Sequence, residues 1–409
     1  MSTVEETRET TADRLRRLGE PRSVAIAGIC VGVLAFWLSL PPFTLRNIVV
    51  PATLAVLGAA MGLWGLTRGQ RKLGIWALLV SLLAVLGAIW FQGEELAELE
   101  SVFSVGLLAA TLRFATPLAF AAMGGIFSER SGVVNIGLEG MMLAGAFFGI
   151  MVAAETGQWE LGILGAMAAG GALALVHAVF CIHLQADQII SGFAINFLAL
   201  GLTGYLFRSV YGDRGTPELP ERIPDVRLAF IDGIPFIGDI FGQLNLMIWL
   251  MILTVILSWV VLFKTPLGLR IRSVGEHPRA ADTVGISVFK IRYAAVITSG
   301  ILAGLGGAYL SFGFGNAFNE NMTVGRGYIA LAAVIFGNWR PFGAFGACLL
   351  FGFSSALALR LQGSPLLPSD IASGNLLQTL PYVLTLIALV GVIGRSRGPA
   401  AAGRPYVKQ

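Results

Sequence analysis

The chain has 409 residues, 56% of them hydrophobic and only 13% charged, with a mean hydropathy of +0.77. That balance excludes an ordinary soluble domain and a disordered segment, and predicts an all-α polytopic membrane protein. The net charge of +4 is accounted for by basic loops between apolar runs, so no nucleic-acid partner is implied.

Residues 1–23 are polar and mixed in charge, with Arg14, Arg16 and Arg17 just ahead of the first apolar run. They read as a cytoplasmic tail followed by a retained anchor rather than a cleaved signal. Runs able to cross about 30 Å of hydrocarbon fall at 24–40, 47–66, 73–91, 102–127, 138–154, 161–182, 189–210, 246–263, 293–312, 327–338, 342–361 and 375–394. These are about a dozen transmembrane helices. The tenth is short and glycine-bounded, which marks a candidate half-helix. The small-residue pairs Gly28 and Gly32, Gly58 and Gly62, and Gly145 and Gly149 fit close helix packing. Cys30, Cys181 and Cys348 sit alone in apolar runs without metal spacing and read as packing residues.

With alternating spans, most Lys and Arg fall on the side of the N-terminal tail, and the opposite loops hold only Arg46, Arg214, Arg222, Arg227 and Arg326. By the positive-inside bias both termini are expected in the cytoplasm. The loop 211–245 then faces outward, and its apolar stretch IDGIPFIGDIFGQ is expected at the membrane surface. The basic loop 264–292 faces inward. Within it, Pro278 at a first helical position and Gly285 at a C-terminal cap enclose a short helix carrying Ala280 and Ala281. Such a helix suits a groove on another protein; a solvated basic loop facing anionic lipid is the other reading.

The segment SERSGVVNIGLEGMM, 128–142, sets charged and amide groups inside a glycine-interrupted apolar region. Hydrocarbon cannot satisfy a broken backbone or a carboxylate, so the segment must be buried in protein or line a watery path. Residues 117–149 are loosely echoed by 300–337: an apolar helix ending in Gly-Gly, a polar glycine segment, then a small-residue helix. Because the two polar segments face opposite sides, this predicts inverted repeats with broken helices meeting near the midplane.

On TLRFATPLAFAAMGGIFSERSGVVNIGLEGMM from Thr111, ADQIISGFAINFLALGLTG from Ala186, GEHPRAADTVGI from Gly275 and GYIALAAVIFGNWRPFGAFGA from Gly327, the chain resembles permease subunits of bacterial ABC importers. The superfamily is that of ribose and branched-chain amino acid permeases, and the likeness is greatest to nucleoside-type permeases served by a basic-membrane-protein-like lipoprotein. The resemblance implies a permease core at 102–394, preceded by a three-helix extension at 24–101 outside the usual core and followed by a cytoplasmic tail at 395–409. It further implies a bacterial inner-membrane location and three partners: separate ATPase subunits, a second homologous permease, and an extracytoplasmic binding lipoprotein. ATP is expected on the ATPase subunits, with no cofactor or metal on this chain. Docking is expected on Gly275, Glu276, His277, Pro278, Ala280, Ala281 and Gly285. Independently, the sequence lacks GxxxxGK[ST], HExxH, CxxC and GxSxG, so it offers no catalytic constellation.

Candidate path residues follow from polarity within the spans. Arg113 lies mid-span, where arginine costs about 2.5 to 3.5 kcal/mol on insertion scales, and Glu139 is its chemical partner, either as a structural pair or at a ligand. Asn135, Gln188 and Asn196 offer the donors and acceptors a nucleobase or ribose requires, or else bond helices together. Phe193 is placed to stack on a base or to pack. An ion-coupled secondary transporter is the alternative function class; only Arg113, Glu139, Arg208 and Arg360 offer strong in-span charge for it.

Overall fold

The computed structural model describes residues 21–39, 49–90, 104–217, 223–227, 237–362 and 397–408, with the isolated positions 102, 229 and 379. They fall into two compact units, one holding the helices before Val105 and the other holding 106–362 with 397–408.

The first unit is a three-helix bundle of α1 (Pro21–Ser39), α2 (Val49–Thr67) and α3 (Arg71–Trp90). A tight turn at Arg68 and Gly69 joins the last two. Small residues let the helices touch: a Cβ on Gly58 would lie 2.7 Å from Ser81 Oγ, and one on Gly62 would lie 2.9 Å from Ala77 Cβ.

The second unit is built on α4 (Val105–Arg130), α5 (Leu138–Thr156), α6 (Trp159–Ala178), α7 (Gln188–Val210), α8 (Leu246–Lys264), α9 (Pro266–Glu276), α10 (Pro278–Thr283), α11 (Val288–Ala308), α12 (Arg326–Phe336) and α13 (Pro341–Leu361). Among the described residues, seven helices are long and apolar enough to cross a membrane. The described residues of the eleven expected runs from 24–40 to 342–361 are helical apart from Ser104 and the turn at Gly337 and Asn338, and 375–394 lies outside the described residues except for position 379. α12 has only 11 residues, about 16 Å at 1.5 Å per residue, which is half a span. In the loop 211–245 a two-stranded antiparallel sheet pairs β1 (Asp225–Arg227) with β2 (Gln243–Asn245). A helical turn at Ile237–Phe241 precedes β2.

Two boundaries move for one reason: burial in protein rather than in lipid. α4 continues through Ser128 and Glu129, both buried, and α11 begins five residues before Tyr293, with the Arg292 side chain only 1% exposed. α9 has no counterpart in the expected elements, although its signal is present. Thr265 Oγ1 accepts from Gly268 N at 3.2 Å and Pro266 opens the helix, an ordinary N-cap.

α4 and α11 run antiparallel. Phe114 near the start of α4 meets Phe314 beyond the end of α11, ring centroids 5.3 Å apart. Further along, Gly124 meets Ser299, and at the far end Gly132 meets Arg292. The helices that open the two repeats therefore point in opposite directions, as an inverted repeat requires. Both α6 and α11 end in a π-helical turn, at Val179–His183 and Tyr309–Phe314.

Candidate functional site

Between α4 and α5 the chain leaves helical geometry over residues 131–137, and side chains replace the lost backbone partners. Ser128 Oγ donates to Val133 O at 2.7 Å, and Ser131 Oγ donates to Ser128 O at 2.7 Å. Gln188 Oε1 accepts from Val134 N at 2.7 Å. Val134 O lies 3.1 Å from His177 Nε2, which must donate to it, and Ser191 Oγ sits 2.9 Å from the other ring nitrogen. Asn196 donates to Ile136 O at 3.0 Å and to Tyr328 Oη at 2.9 Å, while its Oδ1 accepts from Gly140 N at 2.7 Å. Asn135 Nδ2 donates to Ser299 Oγ at 3.0 Å. The three sequence-selected amides thus converge on one broken segment from α7 and from the segment itself, and all three are buried.

They differ in what they have left. Asn196 is fully engaged, whereas Asn135 Oδ1 and Gln188 Nε2 are buried without a partner among the described residues.

Glu139 is not paired with Arg113. Its Oε1 accepts from Gly325 N at 2.8 Å and its Oε2 from Gly327 N at 2.6 Å. Gly325 is the N-cap of α12, with φ +78°, so the carboxylate takes two of the amides that every helix start leaves free. Glu139 also lies in the first turn of α5. One negative charge therefore faces two helix N-termini, where it is electrostatically favoured. Gly327 has to be glycine for this approach, because a Cβ there would lie 2.5 Å from Glu139 Cα. Arg113 itself is exposed. The exposed Arg208 pairs with Glu320 through Nε to Oε1 at 2.8 Å and Nη2 to Oε2 at 3.1 Å, joining the end of α7 to the segment before α12.

Phe193 is 43% exposed and faces Tyr328, 38% exposed, with ring centroids 6.2 Å apart. Tyr328 escaped the sequence reading. Its one signal is an aromatic directly after the Gly-Arg-Gly that opens the half-helix. A separate pocket of about 310 Å³ between α4, α12 and α13 is lined mainly by apolar groups such as Phe114, Leu118, Ile329 and Phe351. None of the six sequence-selected path residues lines it.

At the other end of α12 a second cluster forms. Trp339 Nε1 donates to the buried Glu129 carboxylate, and Arg130 Nε donates to Trp339 O at 3.0 Å. Asn338 and Trp339 are held at φ +54° and +53°, strained for side-chain-bearing residues. Gly275 packs on this corner, where a Cβ would lie 2.1 Å from Arg130 O.

The seven expected docking residues divide. Gly275 and Ala281 face their own chain, Ala281 in a cluster with Val274, Val288 and Tyr406. Glu276, His277, Ala280 and Gly285 are exposed, and Pro278 is half-buried. Val284, not selected from the sequence, is 75% exposed beside them. Burial, together with the Asp282 carboxylate that accepts its hydrogen bond, pushes the Tyr406 phenol above its ordinary pKa.

Residues 107–393 match the family model described as branched-chain amino acid transport system / permease component. The chain belongs to this permease family. It is similar to the guanosine ABC transporter permease protein NupQ of Bacillus subtilis, with 46% identity over 74% of this chain and 96% of that protein. A putative glucose ABC transporter permease protein, TsgC13 of Haloferax volcanii, is 40% identical over 70% of this chain and 91% of that protein. NupP, a second guanosine permease protein of B. subtilis, is 25% identical over 87% of the chain and 99% of its own length. No solved structure matches. The permease is thus a multi-pass membrane transport component.

Proposed function

We propose that this permease forms the translocation path of an ATP-driven importer for an uncharged polar solute, a nucleoside or a simple sugar. The observation that carries this reading is the Glu139 carboxylate at the start of the half-helix α12. A free half-helix N-terminus attracts the carboxylate of a zwitterionic solute. Here the chain's own acid occupies that place and would repel a second anion, which argues against an amino acid. The spare acceptor on Asn135 and spare donor on Gln188 match the mixed hydrogen bonding of a base or ribose. The Phe193 and Tyr328 rings offer apolar faces nearby.

In this reading ATP is hydrolysed by separate subunits seated on the 264–292 loop, and a lipoprotein delivers solute from the opposite face. The chain itself holds no cofactor and lies in a plasma membrane with both termini in the cytoplasm. Two guanosine permeases of one organism match this chain, one at 46% and one at 25% identity. That inequality supports pairing with a second, different permease. The reading is tested with the assembled complex in liposomes, using labelled guanosine with unlabelled glucose and leucine as competitors. ATP-dependent uptake blocked by nucleoside or sugar and not by leucine is expected. Competition by leucine alone, or uptake driven by an ion gradient without ATP, refutes it.

A further inference from the structure

The cytoplasmic groove beside α10 is not made by the loop alone. It measures about 530 Å³, and its walls are residues 276–280 on one side and 400–401 with 404–407 of the C-terminal tail on the other. The tail is laid into the fold by main-chain bonds. Ala401 N donates to Gly275 O at 2.9 Å, Ala400 N to Glu276 Oε2 at 3.2 Å, and Arg397 N to Asn338 Oδ1 at 3.3 Å. Arg292, 1% exposed, has one hydrogen-bond partner among the described residues, the carbonyl of Arg404 at 3.1 Å. Without the tail that buried cation would have no acceptor among the described residues, so the tail is an integral part of the fold. Tyr406 then fills the cluster behind Ala281.

This arrangement changes what α10 offers to a partner. With Ala281 turned inward, the six-residue helix presents little beyond Arg279, Ala280 and Thr283. Apart from Glu276 and His277 just before α10, the remaining groove surface belongs to the tail, including Ala400, Arg404, Pro405 and Val407, the last 55% exposed. Arg279 on one wall and Arg404 on the other supply two exposed cations, while the groove's lining carboxylate, Glu276, accepts from Ala400 N, and Pro278, Ala280, Ala400, Ala401, Pro405 and Val407 supply apolar surface. Such a groove fits an apolar side chain flanked by carboxylates.

We propose that the C-terminal tail is one wall of the docking site for the ATP-hydrolysing subunit, which inserts an apolar group between α10 and the tail and sets acidic residues against Arg279 and Arg404. The inference rests on the importer reading above, and the test separates the two. Arg404→Glu and Val407→Asp alter only exposed side chains; the Arg404 bond to Arg292 uses its carbonyl. Ala280→Glu alters the opposite wall. Each variant is co-expressed with the full set of subunits, and permease abundance in the membrane, co-purified ATPase subunit and ATP-dependent uptake are measured.

The expected result is normal permease abundance in all three, with ATPase recovery and uptake reduced at least tenfold in each. If Ala280→Glu loses the ATPase subunit while Arg404→Glu and Val407→Asp keep wild-type recovery and uptake, the tail is structural only and the proposal is overturned with the importer reading intact. If all three keep it, the groove is not the docking site at all. If no ATPase subunit accompanies the wild-type chain, the importer reading itself fails.

Discussion

Replacing Glu139 tests the central geometry most directly. Its two oxygens satisfy the amides of Gly325 and Gly327 in a buried site. A buried donor left without its acceptor costs about 1–3 kcal/mol, so Glu139→Ala, which orphans two, is expected to cost about 2–6 kcal/mol. Glu139→Gln keeps one oxygen but turns an N–H toward an N–H and removes the charge shared by two helix starts. It is expected to fall between alanine and wild type. Arg113→Gln is the discriminating control. Had Glu139 been paired with Arg113, losing either partner would strand a charge in the span; the structure instead bonds Glu139 to backbone amides and leaves Arg113 exposed, so this change should leave exchange at Gly325 and Gly327 as in wild type. Thermal unfolding midpoints in detergent, combined with hydrogen exchange at Gly325 and Gly327, read the effect. Wild-type stability and exchange in Glu139→Ala, or equal loss in Arg113→Gln, would refute the reasoning.

Trp339→Phe leaves the Glu129 carboxylate buried without that donor and should destabilise by several kcal/mol; adding Glu129→Leu should recover much of the loss, as read by unfolding midpoints. Tyr328→Ala and Phe193→Ala should reduce nucleoside uptake by the assembled complex more than sugar uptake, since only a base offers a ring to stack; equal loss would assign both rings to packing. Cysteines introduced at Ser287 and Pro217 should react with impermeant reagent from the cytoplasmic and outer sides respectively, and reversed labelling would overturn the orientation drawn from charge.

Much of the architecture is legible in the sequence because membrane spans are written in composition. The short tenth run, bounded by Gly327 and Gly337, marks a candidate half-helix by length, and α12 has 11 residues. What is not legible is which atoms meet. Glu139 is visible as a costly carboxylate, but its partners are backbone amides, which carry no letter; chemistry by residue type points to Arg113 instead. Ala280 and Ala281 are equally small, and only the 100° step between helix neighbours, fixed by packing on Tyr406, decides which faces outward. Arg292 reads as one more cation in a basic loop. Its burial depends on a tail more than a hundred residues later in the chain.

These contacts form one mechanical chain through the core. The 264–292 loop touches α4 where Gly275 packs against Arg130, with no room for any side chain between them. Arg130 and Glu129 grip the corner at Trp339, immediately past the end of α12. α12 is a rod of 11 residues, and its other end rests on Glu139 at the break between α4 and α5. Close-packed contacts of this kind shift between discrete arrangements rather than deform smoothly. On the importer reading proposed above, the half-helix is the element placed to carry movement from the 264–292 loop toward the broken segment that holds Asn135 and Gln188, whose Oδ1 and Nε2 have no partner among the described residues.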